Sequence, residues 1–96
     1  MATALPFDAE HVLEEWRRLY DWAVLSRQRL QVVEEIGLLG QQFSGLWNAY
    51  RHTTHAGKRR RLEAELRAAL AAMRAYYAQL PAAARPAVHL PPVDGD

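Results

Sequence analysis

The residues best suited to chemistry in this 96-residue chain are its four histidines and its paired carboxylates. His52 and His55 are three apart, so on one helical turn their imidazoles could share a divalent metal ion. Such a site needs further ligands, and no acid lies near the pair in sequence. A histidine close to a helix C-terminus is in any case favoured by the helix dipole alone. No metal site and no cofactor are therefore expected. His11 and His89 stand alone and read as surface residues. Glu14/Glu15 and Glu34/Glu35 are adjacent pairs, and neighbours on a helix point about 100° apart, which prevents the convergence of an acid–base dyad. Glu14, with Arg17 and Arg18 close by, reads as half of a solvated ion pair. Ser26 and Ser44 lack a histidine and acid in a triad arrangement. Gly37-Leu-Leu-Gly40 carries no basic residue and lacks the spacing of a phosphate loop. With no cysteine there is no thiolate ligand, disulfide or thiol nucleophile. The inventory points away from an enzyme and towards binding.

Two groups of residues are candidates for binding. Residues 51–74 hold seven basic and two acidic side chains, whereas residues 1–50 hold four basic and seven acidic, within a net charge of +1. Arg51, Lys58, Arg59, Arg60, Arg61 and Arg67 could line a phosphate backbone, or lie beside the acidic first helix and be neutralised by it. Cations in the first turn of a helix oppose its dipole, which favours a functional reason. No base-reading or base-stacking motif accompanies them. The second group is aromatic. Trp16, Trp47, Tyr50 and Tyr76 follow apolar seams and read as core. Tyr20, Trp22 and Tyr77 fall beside the seams and are better placed as surface anchors.

The elements that must position these residues are helical. Asp8 has the type and place of an N-cap, Glu10 suits the positive end of the dipole, and Phe7 and Val12 have staple spacing. Val12, Trp16, Leu19, Ala23, Ser26, Leu30, Val33 and Gly37 alternate steps of four and three, the repeat of a packed helical seam. A second seam, Leu25, Arg29, Val32, Ile36, Leu39, Phe43, Leu46 and Tyr50, runs beside it. Each glycine at 37, 40 and 45 costs a helix about 1 kcal/mol relative to alanine. Two readings follow: a turn at Gly37–Gly40, or an unbroken helix from Asp8 to about His52. In the second, Gly37, Gly40 and Ser44 form a small-residue patch where another helix approaches. The run His52-Thr-Thr-His-Ala-Gly57 predicts a break, with Thr53 or Thr54 as the following cap. A last helix is predicted from about Lys58 to Leu80, on the seam Leu62, Leu66, Ala69, Met73, Tyr76 and Leu80. Arg59/Glu63, Arg61/Glu65 and Glu63/Arg67 have ion-pair spacing, and Pro81 ends the helix.

The fold expected is all-α, an antiparallel helical hairpin or three-helix bundle. Residues 1–7 form an N-terminal extension, residues 8–80 the bundle, and residues 81–96, with four of the five prolines, a flexible extended tail. With a turn at Gly37–Gly40 the helices would measure roughly 43, 18 and 35 Å, and without it roughly 67 and 35 Å. Either mismatch leaves Trp16, Leu19, Tyr20, Trp22 and Leu25 short of cover and predicts a companion, most simply a second copy.

Trp16–Leu30, with its leucine-serine step, resembles the first helix of small helical flagellar export chaperones, although the tryptophan-centred pattern that follows in those proteins is missing. The chain length is similar to that of WxG-type secreted helical hairpins, whose Trp-x-Gly turn is missing here. Neither likeness transfers a residue or a role. A composition of 50% hydrophobic and 24% charged residues is that of a globular chain. No apolar run approaches membrane-spanning length, and Met1 to Asp8 lacks signal-peptide features, so a cytoplasmic location is expected. The function expected is a small homodimeric interaction module (an adaptor, chaperone or assembly factor) that holds a protein partner on an apolar helix face. The alternative is a nucleic-acid-binding accessory protein working through residues 51–67.

Overall fold

A computed structural model of the chain describes residues 5–94. Residues 1–4 of the N-terminal extension and residues 95–96 of the tail lie outside that range. The described residues form three helices, α1 (Ala9–Leu25), α2 (Leu30–His52) and α3 (Ala56–Gln79), and no strand. None of the three is long and apolar enough to cross a membrane.

α1 starts as its sequence requires. The Asp8 carboxylate accepts from the amides of Glu10 and His11 at 3.0 and 3.3 Å, satisfying donors that a helix start leaves open. Phe7 and Val12 are both buried. α1 stops where the sequence pattern does not predict it. The turn lies at residues 26–29, neither at Gly37–Gly40 nor absent. Gln28 N donates to Ala23 O at 3.0 Å and Arg27 N to Val24 O at 3.2 Å, the paired bonds of a Schellman C-cap. The left-handed position of that motif, usually glycine, is filled by Arg27 at φ 56°. No glycine or proline marks the corner, and Arg29, at the N-cap position of α2, makes no side-chain cap hydrogen bond.

The glycines instead sit inside α2, where they let α1 come close. A Cβ on Gly40 would stand 2.9 Å from Trp16 Cδ1, and one on Gly37 would stand 3.3 Å from Tyr20 Cε1. The Trp16 indole N–H donates to Ile36 O at 2.8 Å across the same contact. Residues 16 and 20 thus meet 40 and 37 in reverse order, so α1 and α2 run antiparallel. The small-residue patch of Gly37 and Gly40 is real, and its neighbour is α1 of the same chain.

α3 also runs back along α2. Tyr50 O–H donates to Glu63 at 3.2 Å near the start of α3, and Glu35 acts on Tyr76 near its end. His55, rather than either threonine, caps α3, its Nδ1 accepting from Lys58 N at 3.3 Å. The three ion pairs predicted along α3 do not form. Among the described residues the salt bridges are Arg18–Glu15 at 3.1 Å and Arg51–Glu10 at 3.7 Å. Arg18 therefore pairs with Glu15, not Glu14.

The first seam lines α1 as far as Ala23 and the second lines α2 from Val32, while Leu25 and Leu30, at the predicted overlap, are exposed. Phe7, Ala9, Val12, Trp16, Leu19 and Ala23 from the α1 side, Ile36, Phe43 and Tyr50 of α2, Leu66, Leu70 and Met73 of α3, and Val88 of the C-terminal segment make the core. The helices hold 17, 23 and 24 residues, or roughly 26, 35 and 36 Å. The large length mismatch implied by a turn at the glycines is gone, and Trp16 and Leu19 are covered by the chain's own later residues. α1 and α3 each lie along α2 and scarcely approach one another. The Cα trace measures 44 × 25 × 17 Å.

Candidate functional site

The anchor residues expected on one open face divide between core and surface. Trp16 and Leu19 are 3% and 0% exposed, so neither is available to a partner. Trp22 is half-buried against the core. Tyr20 is 39% exposed, and Leu25, in the last turn of α1, is 81% exposed. The sequence reading missed three neighbours of the same character: Val24, Leu30 and Leu38 at 46, 70 and 49%. Val24, Leu25 and Leu30 flank the Arg27 corner and make an apolar tip. Arg27 and Arg29 stand within it, and no acidic residue lies between Asp21 and Glu34. Next to the tip a shallow groove of about 410 Å³ runs between α1 and α2, lined by Leu13, Trp16, Arg17, Tyr20, Gly37 and Ser44 among others.

The C-terminal segment, read from sequence as a flexible tail, makes a second set of contacts. A turn closes at Pro81–Arg85, where Ala84 N and Arg85 N both donate to Pro81 O at 3.1 Å. The Arg85 guanidinium stacks 4.5 Å from the Tyr77 ring centre and donates to the carbonyls of Tyr77 and Leu80, near the C-terminus of α3. Beyond the turn the chain reaches α1. His89 N donates to Glu15 Oε1 at 2.9 Å, and His11 Nε2–H donates to His89 O at 3.0 Å. The His11 side chain therefore meets the main chain of His89, which itself stays exposed at the surface. Glu15 is buried, which by itself would raise its pKa. The His89 amide, then Arg18 and the charge of His11, outweigh burial and hold the carboxyl below the ordinary glutamate range.

His11, Glu14 and Glu15 place three possible ligand atoms within 4.8 Å of one another. The His11 and Glu15 atoms engage the His89 main chain of the same protein. His52 and His55 do not form such a group: the His52 Nδ1–H donates to Asn48 O at 2.7 Å, and His55 is the α3 cap.

The basic candidates also divide. Arg59 stacks 4.2 Å from the Tyr50 ring centre and donates to the carbonyls of Tyr50 and Thr53, bracing the α2–α3 turn. Arg51 lies over Trp47 and beside Glu10, which itself accepts from the Trp47 indole at 2.7 Å. Lys58, Arg60, Arg61 and Arg67 are exposed. Two of the six expected phosphate contacts thus serve the fold. Burial pushes the Tyr50 phenol up, and Glu63 adds to the shift while Arg59 opposes it.

Comparison with known proteins finds no matching family model, no matching curated protein and no matching solved structure.

Proposed function

We propose that this chain is a small helical interaction module that docks a protein partner, first of all a second copy of itself, through the apolar tip at the α1–α2 corner. The observation that carries the reading is the exposure of Leu25 and Leu30, at 81% and 70%, on either side of the Arg27 corner. Single exposed leucines are ordinary on protein surfaces, but neighbouring large aliphatic groups on one corner favour association. Arg27 and Arg29 within the tip suit an apolar surface rimmed by carboxylates. Tyr20 and Trp22 extend the anchor set along α1, while Trp16 and Leu19 belong to the core of the bundle.

The test is light scattering coupled to size-exclusion chromatography, at low and high salt. Association through the tip persists or strengthens as salt rises, and Leu25→Ser with Leu30→Ser reduces it to monomer while the helical circular dichroism is kept. A wild-type chain that is monomeric at every concentration overturns self-association. The nucleic-acid alternative draws support from Lys58, Arg60, Arg61 and Arg67, four exposed cations on α3. It requires affinity for a mixed-sequence oligonucleotide that falls steeply with salt and is abolished by replacing Arg60 and Arg61 with glutamine.

A further inference from the structure

The third side of the bundle is closed by an extended strand of chain. α1 and α3 flank α2 and scarcely approach one another, and residues 86–93 bond to both of them. On the α3 side Tyr77 O–H donates to Pro86 O at 2.6 Å and accepts from Val88 N at 3.3 Å. Arg74 donates to Leu90 O and Pro91 O at 2.9 and 2.8 Å. On the α1 side His11 and Glu15, four apart on one face, read the C=O and the N–H of His89. Val88 is 8% exposed, and Leu90 and Val93 pack against the core.

Each of these bonds from α1 and α3 reaches the main chain of the segment and none reaches its side chains. Main-chain hydrogen bonds combined with pockets for aliphatic side chains are how grooves bind extended peptides. Pro86, Pro91 and Pro92 fit the same pattern. They restrict the backbone before binding, which lowers the entropy lost on docking, and they lack amides that would need partners in the cleft.

We propose that the α1–α3 cleft is a binding site for an extended, proline-flanked aliphatic segment of another protein, and that residues 86–93 occupy it in cis as an exchangeable stand-in. The tether is the short Pro81–Arg85 turn, so the cis segment competes at an effective concentration of about millimolar. The wild-type chain consequently binds an outside peptide weakly until its own strap is displaced. The site is separate from the apolar tip, and Leu25→Ser leaves it unaltered.

The probe is a fluorescein-labelled peptide with the sequence of residues 86–93, titrated by anisotropy into the full chain. Val88→Asp weakens the strap's apolar contact, and His89→Pro removes its donor to Glu15. Each is expected to bind the probe at least about tenfold more tightly than wild type, and adding Glu15→Ala to either reverses the gain. Two binding results overturn the proposal. One is the absence of any gain in both variants while their helical circular dichroism is kept; the other is a gain indifferent to Glu15→Ala. Loss of helix in both variants also overturns it, because the segment is then an inseparable part of the core. Hydrogen exchange on the wild-type chain tests the same point without substitution. The His89 amide should exchange at least about tenfold faster than that of Leu66, through strap opening alone, and equal protection of the two sinks the idea.

Discussion

Arg27 holds a backbone conformation that glycine adopts at little cost and other residues do not. Arg27→Gly is therefore expected to raise stability by up to about 1 kcal/mol in urea unfolding; a drop would mean the arginine side chain contributes more than its backbone loses. The glycines of α2 behave oppositely to one another. Gly45 has nothing within 4 Å of an added Cβ, so Gly45→Ala is expected to stabilise by about 1 kcal/mol through helix propensity. At Gly40 the same methyl would stand 2.9 Å from the Trp16 ring. Gly40→Ala should destabilise by about 1–3 kcal/mol despite its better propensity. Thermal unfolding of the two variants side by side checks the contrast, and equal shifts in one direction refute it.

The strap and the α2–α3 contact respond to opposite ends of the pH scale. Glu15 titrates below its ordinary value of about 4.5 while it holds His89. The contribution of Glu15 to strap docking is thus complete above that value and lost as pH falls through the lowered one. His11, Glu14 and Arg18 on α1 and Arg74 on α3 are the charged or titratable groups nearest this contact. Glu15→Gln keeps the acceptor oxygen but removes the titration, so the acid-induced shift of the His89 amide in NMR spectra should disappear; a transition unchanged in midpoint would assign it to another group. Tyr50, raised above its ordinary value of 10.0, keeps the α2–α3 contact intact below that value. The contact weakens as pH rises through the raised one. Much of this element plan is legible in the sequence. The Asp8 cap, the break after His52 and the Pro81 stop are each written in residues with one strong local preference. The 26–29 corner is not, because an arginine fills a glycine's place. Its trace is indirect: two seams lie side by side from about Leu25 onwards, and one seam per helix explains both. The strap is harder still, since its contacts use main-chain groups that any sequence possesses. Only His11 and Glu15, four apart, and the proline-bounded Val88-His89-Leu90 hint at it.

At the scale of the whole molecule, shelter of Trp16 and Leu19 within one chain moves the case for association from unmatched helix length to a small apolar corner. Such a corner contributes little to the monomer's own stability. Leu25→Ser and Leu30→Ser should each change unfolding free energy by less than about 0.5 kcal/mol, whereas Leu66→Ala should cost about 2–5 kcal/mol. A large loss from Leu25→Ser would instead make the corner part of the fold.

The way the strap is held also sets how the molecule answers to mechanical force. Tension applied at the C-terminus loads its hydrogen bonds one after another, from Pro91 back to Pro86, like a zipper opened from its end. The helices, gripped along their lengths, share the load. An optical trap should register release of the strap as a separate low-force transition before any helix gives way. Release of the strap under tension would leave the groove faces of His11, Glu15, Arg74 and Tyr77 open.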